Sequence, residues 1–93
     1  MLAPDTIPLP CKEVVSRVEP GGALLFQVRT DEMFFVSPGA FSLFSLCDGS
    51  RTIAEIHALL AHYQPELASQ AGHEQVERFL ESLAERRLVE LWR

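Results

Sequence analysis

From Val14 onward the apolar positions follow first a strand-like period and then a helical one. Val14-Val15-Ser16-Arg17-Val18 and Ala23-Leu24-Leu25-Phe26-Gln27-Val28-Arg29 are short runs rich in β-branched and apolar residues, a composition that suits a pleated strand. Between them Pro20-Gly21-Gly22 supplies a fixed φ and two residues free to turn, so the two runs read as a hairpin. Thr30-Asp31-Glu32 turns the chain again into Met33-Phe34-Phe35-Val36. The pattern predicts a three-stranded antiparallel meander with connections of about three residues.

The period then becomes helical. Ser37-Pro38 offers a capping hydroxyl followed by a proline at the first helical position, where its missing N–H costs nothing. A first helix is predicted from there to about Cys47. Phe41, Leu43, Phe44, Leu46 and Cys47 leave it little polar face, so it is expected to be the buried central helix. Asp48-Gly49 ends it, with Gly49 able to take the left-handed conformation. Thr52-Ile53-Ala54-Glu55 is a capping box and opens a second helix carrying Ile53, Ile56, Leu60 and Tyr63. Gln64-Pro65 ends that helix. A loop of Ala, Ser, Gln and Gly is expected next, then a third helix from about His73 to Arg87 with Val76, Phe79, Leu80 and Leu83 on one stripe. Leu88 to Trp92 either continues the helix or forms a short terminal strand.

Ahead of the first strand, Pro4, Asp5, Pro8 and Pro10 read as an extended arm rather than an element. The expected division is an arm over residues 1–12 and one domain over 13–93. Strands followed by helices, with no βαβ alternation, place the chain in the α+β class. The tight Asp48-Gly49-Ser50-Arg51 turn between two helices, beside a sheet, suggests a winged-helix-like architecture.

The chain of 93 residues can hold one modest core but no deep cleft between lobes, which excludes a large enzyme fold. No apolar window of about 18 residues exists, so nothing spans a membrane. The N-terminus lacks the charged and apolar regions of a signal peptide, and a cytoplasmic address is expected. Thirteen acidic against eight basic residues give a net charge of −5, which disfavours a phosphate backbone as partner. A winged-helix nucleic-acid binder is nevertheless the alternative reading. Against it, Thr52 to Tyr63 has no Lys or Arg, and His73 to Arg87 sets four Glu against three Arg.

No catalytic constellation stands out. His57 and His62 lie about 140° apart around a helix, unlike a two-histidine metal pair spaced by four. Cys11 and Cys47 form no C-x-x-C pair, and Cys47 reads as a small buried hydrophobe. Glu74, Glu77, Glu81 and Glu85 read as a solvated helix face, with Glu74 pairing Arg78. No metal and no cofactor is expected. The open edge of the sheet is more informative. Met33 to Val36 carries no Lys, Pro or bulge to protect it, and large apolar side chains fall on both of its faces. Either the third helix covers that strand, or an extended peptide adds to it.

The run Leu46-Cys47-Asp48-Gly49-Ser50-Arg51-Thr52-Ile53-Ala54-Glu55-Ile56 follows a Gly-Ala-Leu-Leu-Phe hairpin strand and precedes a Phe79-Leu80-Glu81-Ser82-Leu83…Leu88-Val89 ending. In this it resembles the PqqD-like small proteins, the peptide chaperones of pyrroloquinoline quinone biosynthesis and the leader-recognition elements of ribosomally made, modified peptides. The resemblance covers about residues 13 to 92. Where many members have a Leu-Asn pair before the first helix, this chain has Val36-Ser37-Pro38, and its Glu19-Pro20-Gly21-Gly22-Ala23-Leu24-Leu25 and Phe35-Val36-Ser37-Pro38 segments look more like the short stand-alone partners of radical enzymes. The resemblance implies a non-catalytic module of three strands and three helices. Such a module binds a precursor's leader as an added strand and presents it to a modifying enzyme, often a radical S-adenosylmethionine (SAM) enzyme. The expected contacts are Met33, Phe34, Phe35 and Val36 along the strand, with Arg78, Ser82 and Arg86 at a polar margin and Phe79 or Leu80 as an apolar floor.

Overall fold

The computed structural model describes residues 2–92. Its elements run β1 (Ile7–Pro10), β2 (Val14–Glu19), β3 (Gly22–Gln27), β4 (Glu32–Val36), α1 (Pro38–Leu46), α2 (Ile53–Tyr63), a 3-10 turn (Pro65–Ala68), α3 (Gln70–Glu85) and β5 (Val89–Trp92). The expected α+β order is present: an antiparallel sheet β2-β3-β4 followed by three helices, with a small second sheet β1-β5. Pairing of Glu19 with Gly22 leaves a two-residue turn. Pro20 fixes its own φ there, and Gly21 supplies the positive φ of +81° that closes the hairpin. The β3–β4 connection is longer than expected, because Gln27 pairs with Glu32.

Ala23, Leu25 and Gln27 of β3 point inward and are buried. The sheet packs them against Leu43, Phe44 and Cys47 from α1 and its end, Ile53 and Ile56 from α2, and Val76, Leu80 and Leu83 from α3. Burying a side chain of this size is worth roughly 1.5–3 kcal/mol each. α1 packs against β3 in the core, but it is not buried all round as the sequence suggests. α1 is buried only at Leu43 and Phe44, and its other side shows Ser42 and Ser45 to solvent. The Ser45 hydroxyl donates to the Phe41 carbonyl (2.9 Å); small serines that satisfy themselves this way form a polar face that no charge announces.

Caps define the helix ends. Ser37 accepts from the Ala40 N–H at 3.2 Å, with Pro38 following as expected. The Thr52 capping box is complete: the Glu55 N–H donates to Thr52 Oγ1 (3.2 Å), and the Thr52 N–H donates to Glu55 Oε1 (2.8 Å). These bonds hold the Glu55 carboxyl below its ordinary value. α3 begins three residues earlier than the periodicity predicts, because Ser69 caps it by accepting from the Gly72 N–H (3.1 Å).

The N-terminal segment is extended, but it does not hang free. Ile7–Pro10 pairs antiparallel with Val89–Trp92, and the Cys11 N–H donates to the Leu88 carbonyl (3.1 Å). Bonded pairs alternate with unbonded ones, so Pro8 and Pro10 fall at unbonded positions where the lack of an N–H is harmless. Upstream, the Thr6 and Pro4 carbonyls accept from the Ile53 and Ala54 N–H groups (2.8 and 3.0 Å). Those are the first donors of α2, which no helical carbonyl can reach. The arm and the capping box together satisfy that helix start.

Glu77 anchors the very beginning of the arm. Its carboxylate accepts from the Leu2 N–H (2.9 Å) and contacts His57 Nε2 (2.9 Å), while His73 stacks on the His57 ring at 3.9 Å. Glu77 is therefore not part of a solvated face, as its helical spacing with Glu74 and Glu81 suggests. Burial pushes its carboxyl up, but the bonds from Leu2 and His57 outweigh this and leave it below its ordinary value. Glu74, for its part, accepts from Gln70 Nε2 (3.4 Å) rather than from Arg78.

Replacing Thr52 by Ala removes one side of the capping box and is expected to cost about 1 kcal/mol in chemical denaturation. An unchanged midpoint would mean that the α2 start is held by the arm alone. Glu77→Gln is expected to cost on the order of 1–2 kcal/mol at neutral pH. The folded-state carboxyl titrates below its unfolded value of 4.5. Its contribution is thus complete above that value and drains away as pH falls through the folded one. Wild type and variant should converge in acid, and a gap that persists at the acid end would show that the carboxylate's charge is not what binds the arm.

Candidate functional site

Which backbone groups β4 presents to solvent follows from one hydrogen bond at the far end of β3. The Val28 N–H donates to the Glu13 carbonyl at 2.9 Å. In an antiparallel ladder bonded pairs alternate, so Phe26, Leu24 and Gly22 direct their N–H and C=O groups to β2. Ala23, Leu25 and Gln27 then direct theirs to β4, where they meet Val36, Phe34 and Glu32. Met33 and Phe35, opposite Phe26 and Leu24, turn their N–H and C=O groups outward. β4 is an edge strand, so these groups face no neighbouring strand.

Side chains divide the same strand differently. Phe34 and Val36 lie half-buried on the core face. Met33 and Phe35, 60% and 59% exposed, stand on the outer face. Met33 there lines a shallow recess of about 210 Å³ with Val15, Leu24 and Phe26. The Arg86 guanidinium sits 5.3 Å from the centre of the Phe34 ring, a cation–π contact that brings the end of α3 beside β4.

Where β4 ends, a groove of about 390 Å³ opens between the start of α1, the end of α2 and α3. Ser37 and Ala40 form its near wall, Leu60 and Leu67 its far wall, and Gln75, Val76 and Phe79 line it from α3. Gln75, Phe79, Ser82 and Arg86 recur at spacings of four, three and four, and so share one face of α3. Phe79 lines the groove, whereas Leu80 is wholly inside the core. Ser82 is partly buried and donates to the Phe79 carbonyl (2.7 Å). Arg78 is exposed and lies off this face.

Of the expected contacts, the structure brings together Phe34, Phe79, Ser82 and Arg86 around α3 and the inner side of β4. Met33 and Phe35 share the open edge through their backbone, while their side chains point away from α3. Sequence reasoning missed Ala40, Leu60 and Leu67 as groove walls. Leu60 carried a helical-period signal that read equally well as core, and Leu67 lay in a stretch read as loop.

Burial pushes the Cys47 thiol up to about 12, with Asp48 adding to it, and its Sγ reaches only the Leu43 carbonyl at 3.4 Å. Among the described residues no group of three His, Cys, Asp or Glu side chains could hold a metal ion. No helix there is long and apolar enough to cross a membrane.

A family model described as Coenzyme PQQ synthesis protein D (PqqD) matches residues 22–89, from the first residue of β3 to the first of β5. The chain belongs to the PqqD family. No curated protein matches it. PqqD-family proteins are non-catalytic, peptide-binding partners in PQQ synthesis. The matched span contains β4, α1 and α3, and therefore every residue of the open edge and the adjoining groove.

For this PqqD-family chain the ladder makes a sharp structural prediction. Proline at Phe34 removes an N–H from the β3–β4 ladder and should abolish the cooperative melt. Proline at Phe35 removes an outward N–H and should leave a folded far-UV circular dichroism spectrum. The reverse result would mean that the bonded and unbonded positions are exchanged.

Proposed function

We propose that the chain is a non-catalytic recognition module that takes up the leader of a ribosomally made precursor peptide and presents it to a separate modifying enzyme, a radical SAM enzyme. The leader adds as a strand to the outer side of β4, pairing with the outward backbone groups of Met33 and Phe35. Its side chains on the helix side meet Phe34, Val36 and Phe79, with Ser82 and Arg86 at the margin and Arg78 at the outer limit. Residues 13–93 make up the recognition domain and residues 1–12 its N-terminal arm, of which Ile7–Pro10 pairs with β5. The observation that carries this reading is an unprotected apolar edge running directly into an apolar groove. Natural edges of this kind are otherwise blunted or covered. Membership of the PqqD family supports it independently.

The nucleic-acid alternative draws little support from the charge distribution. On the groove face α3 offers Gln75, Phe79, Ser82 and a single cation, Arg86, and that cation already covers Phe34.

Titration with a synthetic precursor leader peptide tests the proposal. Phe35→Pro should bind at least about tenfold more weakly than wild type, the loss of one or two backbone hydrogen bonds and their alignment. Because backbone bonds and apolar pockets carry the affinity, raising the ionic strength should weaken binding by less than about tenfold. A steep linear loss with the logarithm of salt concentration would point to a polyanion instead. Full-affinity binding by a folded Phe35→Pro protein would remove the added strand from this edge.

A further inference from the structure

A second cleft, of about 650 Å³, is lined by β5, the end of β3 and the β1–β2 connection and by no residue of β4. The chain is acidic overall, yet Lys12, Arg29 and Arg87 all line this cleft. Elsewhere Arg17 and Arg51 are paired with Glu19 and Asp48 at 3.1 and 3.0 Å, and Arg86 covers Phe34. Among the described residues Lys12, Arg29 and Arg87 close no ion pair. Glu13 and Glu90 share the cleft without pairing with them; Glu90 instead accepts from Trp92 Nε1 (3.2 Å).

Arg87 is held there at a cost. It follows the end of α3 with φ +60°, the left-handed region that glycine enters freely and other L-residues enter at roughly 1–2 kcal/mol. The bonds around it are those of a glycine-type helix ending. The Leu88 N–H reaches the Leu83 carbonyl (2.9 Å), and the Arg87 N–H reaches that of Ala84 (3.1 Å). The Arg87 carbonyl is then captured by the side-chain amide of Gln27, which is 2% exposed. A glycine would make the same turn without strain, so the guanidinium is what the position retains. Strain kept in this way points to a use for the side chain.

Cys11 bonds to Leu88, so Glu90 and Trp92 direct their backbone groups to β1, and Val89, which also lines the cleft, is buried. What the cleft presents is therefore side chains, three of them unpaired cations beside β5.

We propose that this cleft binds an acidic, extended polypeptide segment of a partner protein, laid along β5 with carboxylates at alternating positions meeting Lys12, Arg29 and Arg87. Alternation matters because every second side chain of an extended segment faces the same way. A continuous polyphosphate backbone would be repelled by Glu13 and Glu90, whereas a peptide can place neutral residues beside them. The cleft shares no lining residue with β4 or with the groove beside it, so it stands independently of the leader-binding reading.

The test uses the full chain and a fluorescent synthetic peptide of alternating Glu and Thr, with the same peptide carrying Gln for Glu and a single-stranded RNA oligonucleotide as comparisons. The Glu peptide should bind, and the Gln peptide should bind about tenfold or more weaker. Arg87→Gly should lower affinity for the Glu peptide to a similar degree while the melting temperature holds or rises, a combination that a purely structural arginine would not produce. Arg29→Gln, at an exposed position, should weaken the same binding with the fold intact. Undiminished binding by either variant, equal binding of the two peptides, or tighter binding of RNA would each overturn the proposal.

Discussion

Alternation in the β3 ladder governs most of what the sheet can do. β3 is the one strand of its sheet with neighbours on both sides, so every second residue is committed to β2 and the others to β4. The inward side chains of the β4-facing set, Ala23, Leu25 and Gln27, form the sheet's share of the core. Core packing therefore fixes which residues of β4 bond inward, and by exclusion which ones remain open. Moving the register by one residue would bury Met33 and Phe35 and expose Phe34, a change too costly for a core of this size. The open edge is a by-product of the same pattern that makes the domain stable.

The second dependency runs through the start of α2. Its first backbone donors are shared between the Thr52 capping box and the carbonyls of Pro4 and Thr6, and Glu77 on α3 holds Leu2. Segments distant in the chain are joined by polar contacts around one helix terminus. The carboxylate of Glu77 that accepts from the Leu2 N–H is held below its ordinary value, so protonating it loosens the arm. The arm's attachment is thus more sensitive to acid than the apolar core behind it.

Much of this was legible in the sequence where the signal was local and redundant. The Pro20-Gly21 turn, the Ser37-Pro38 start and the Thr52–Glu55 box each combine a residue type with a fixed spacing, and each appears where it was expected. The exposed edge of β4 was also legible, because its lack of Lys or Pro is a property of four consecutive residues, Met33 to Val36. What escaped was non-local. Nothing in Ile7–Pro10 announces a strand, since the pairing is supplied by β5 at the other end of the chain and two of the four residues are prolines. Ser42 and Ser45 hide the exposed side of α1 behind small side chains. Glu77 looks like its neighbours Glu74 and Glu81 until the fold brings Leu2 and His57 to it. At the groove, the period of α3 identified an apolar stripe but could not separate Leu80, which serves the core, from Phe79, which serves the surface.

The two prolines of β1 have a kinetic meaning beyond their harmless placement. A strand with N–H groups throughout could dock on β5 one residue out of step and still form bonds. Here such a slip would bring Pro8 and Pro10 to positions that require donors, and both bonds would be lost at once. A slip by two would restore the alternation but would displace Thr6 and Pro4 from the first turn of α2. The arm can therefore search along β5 without finding a second place to rest, and proline, usually counted as a breaker of strands, serves here as a key that fits a single register.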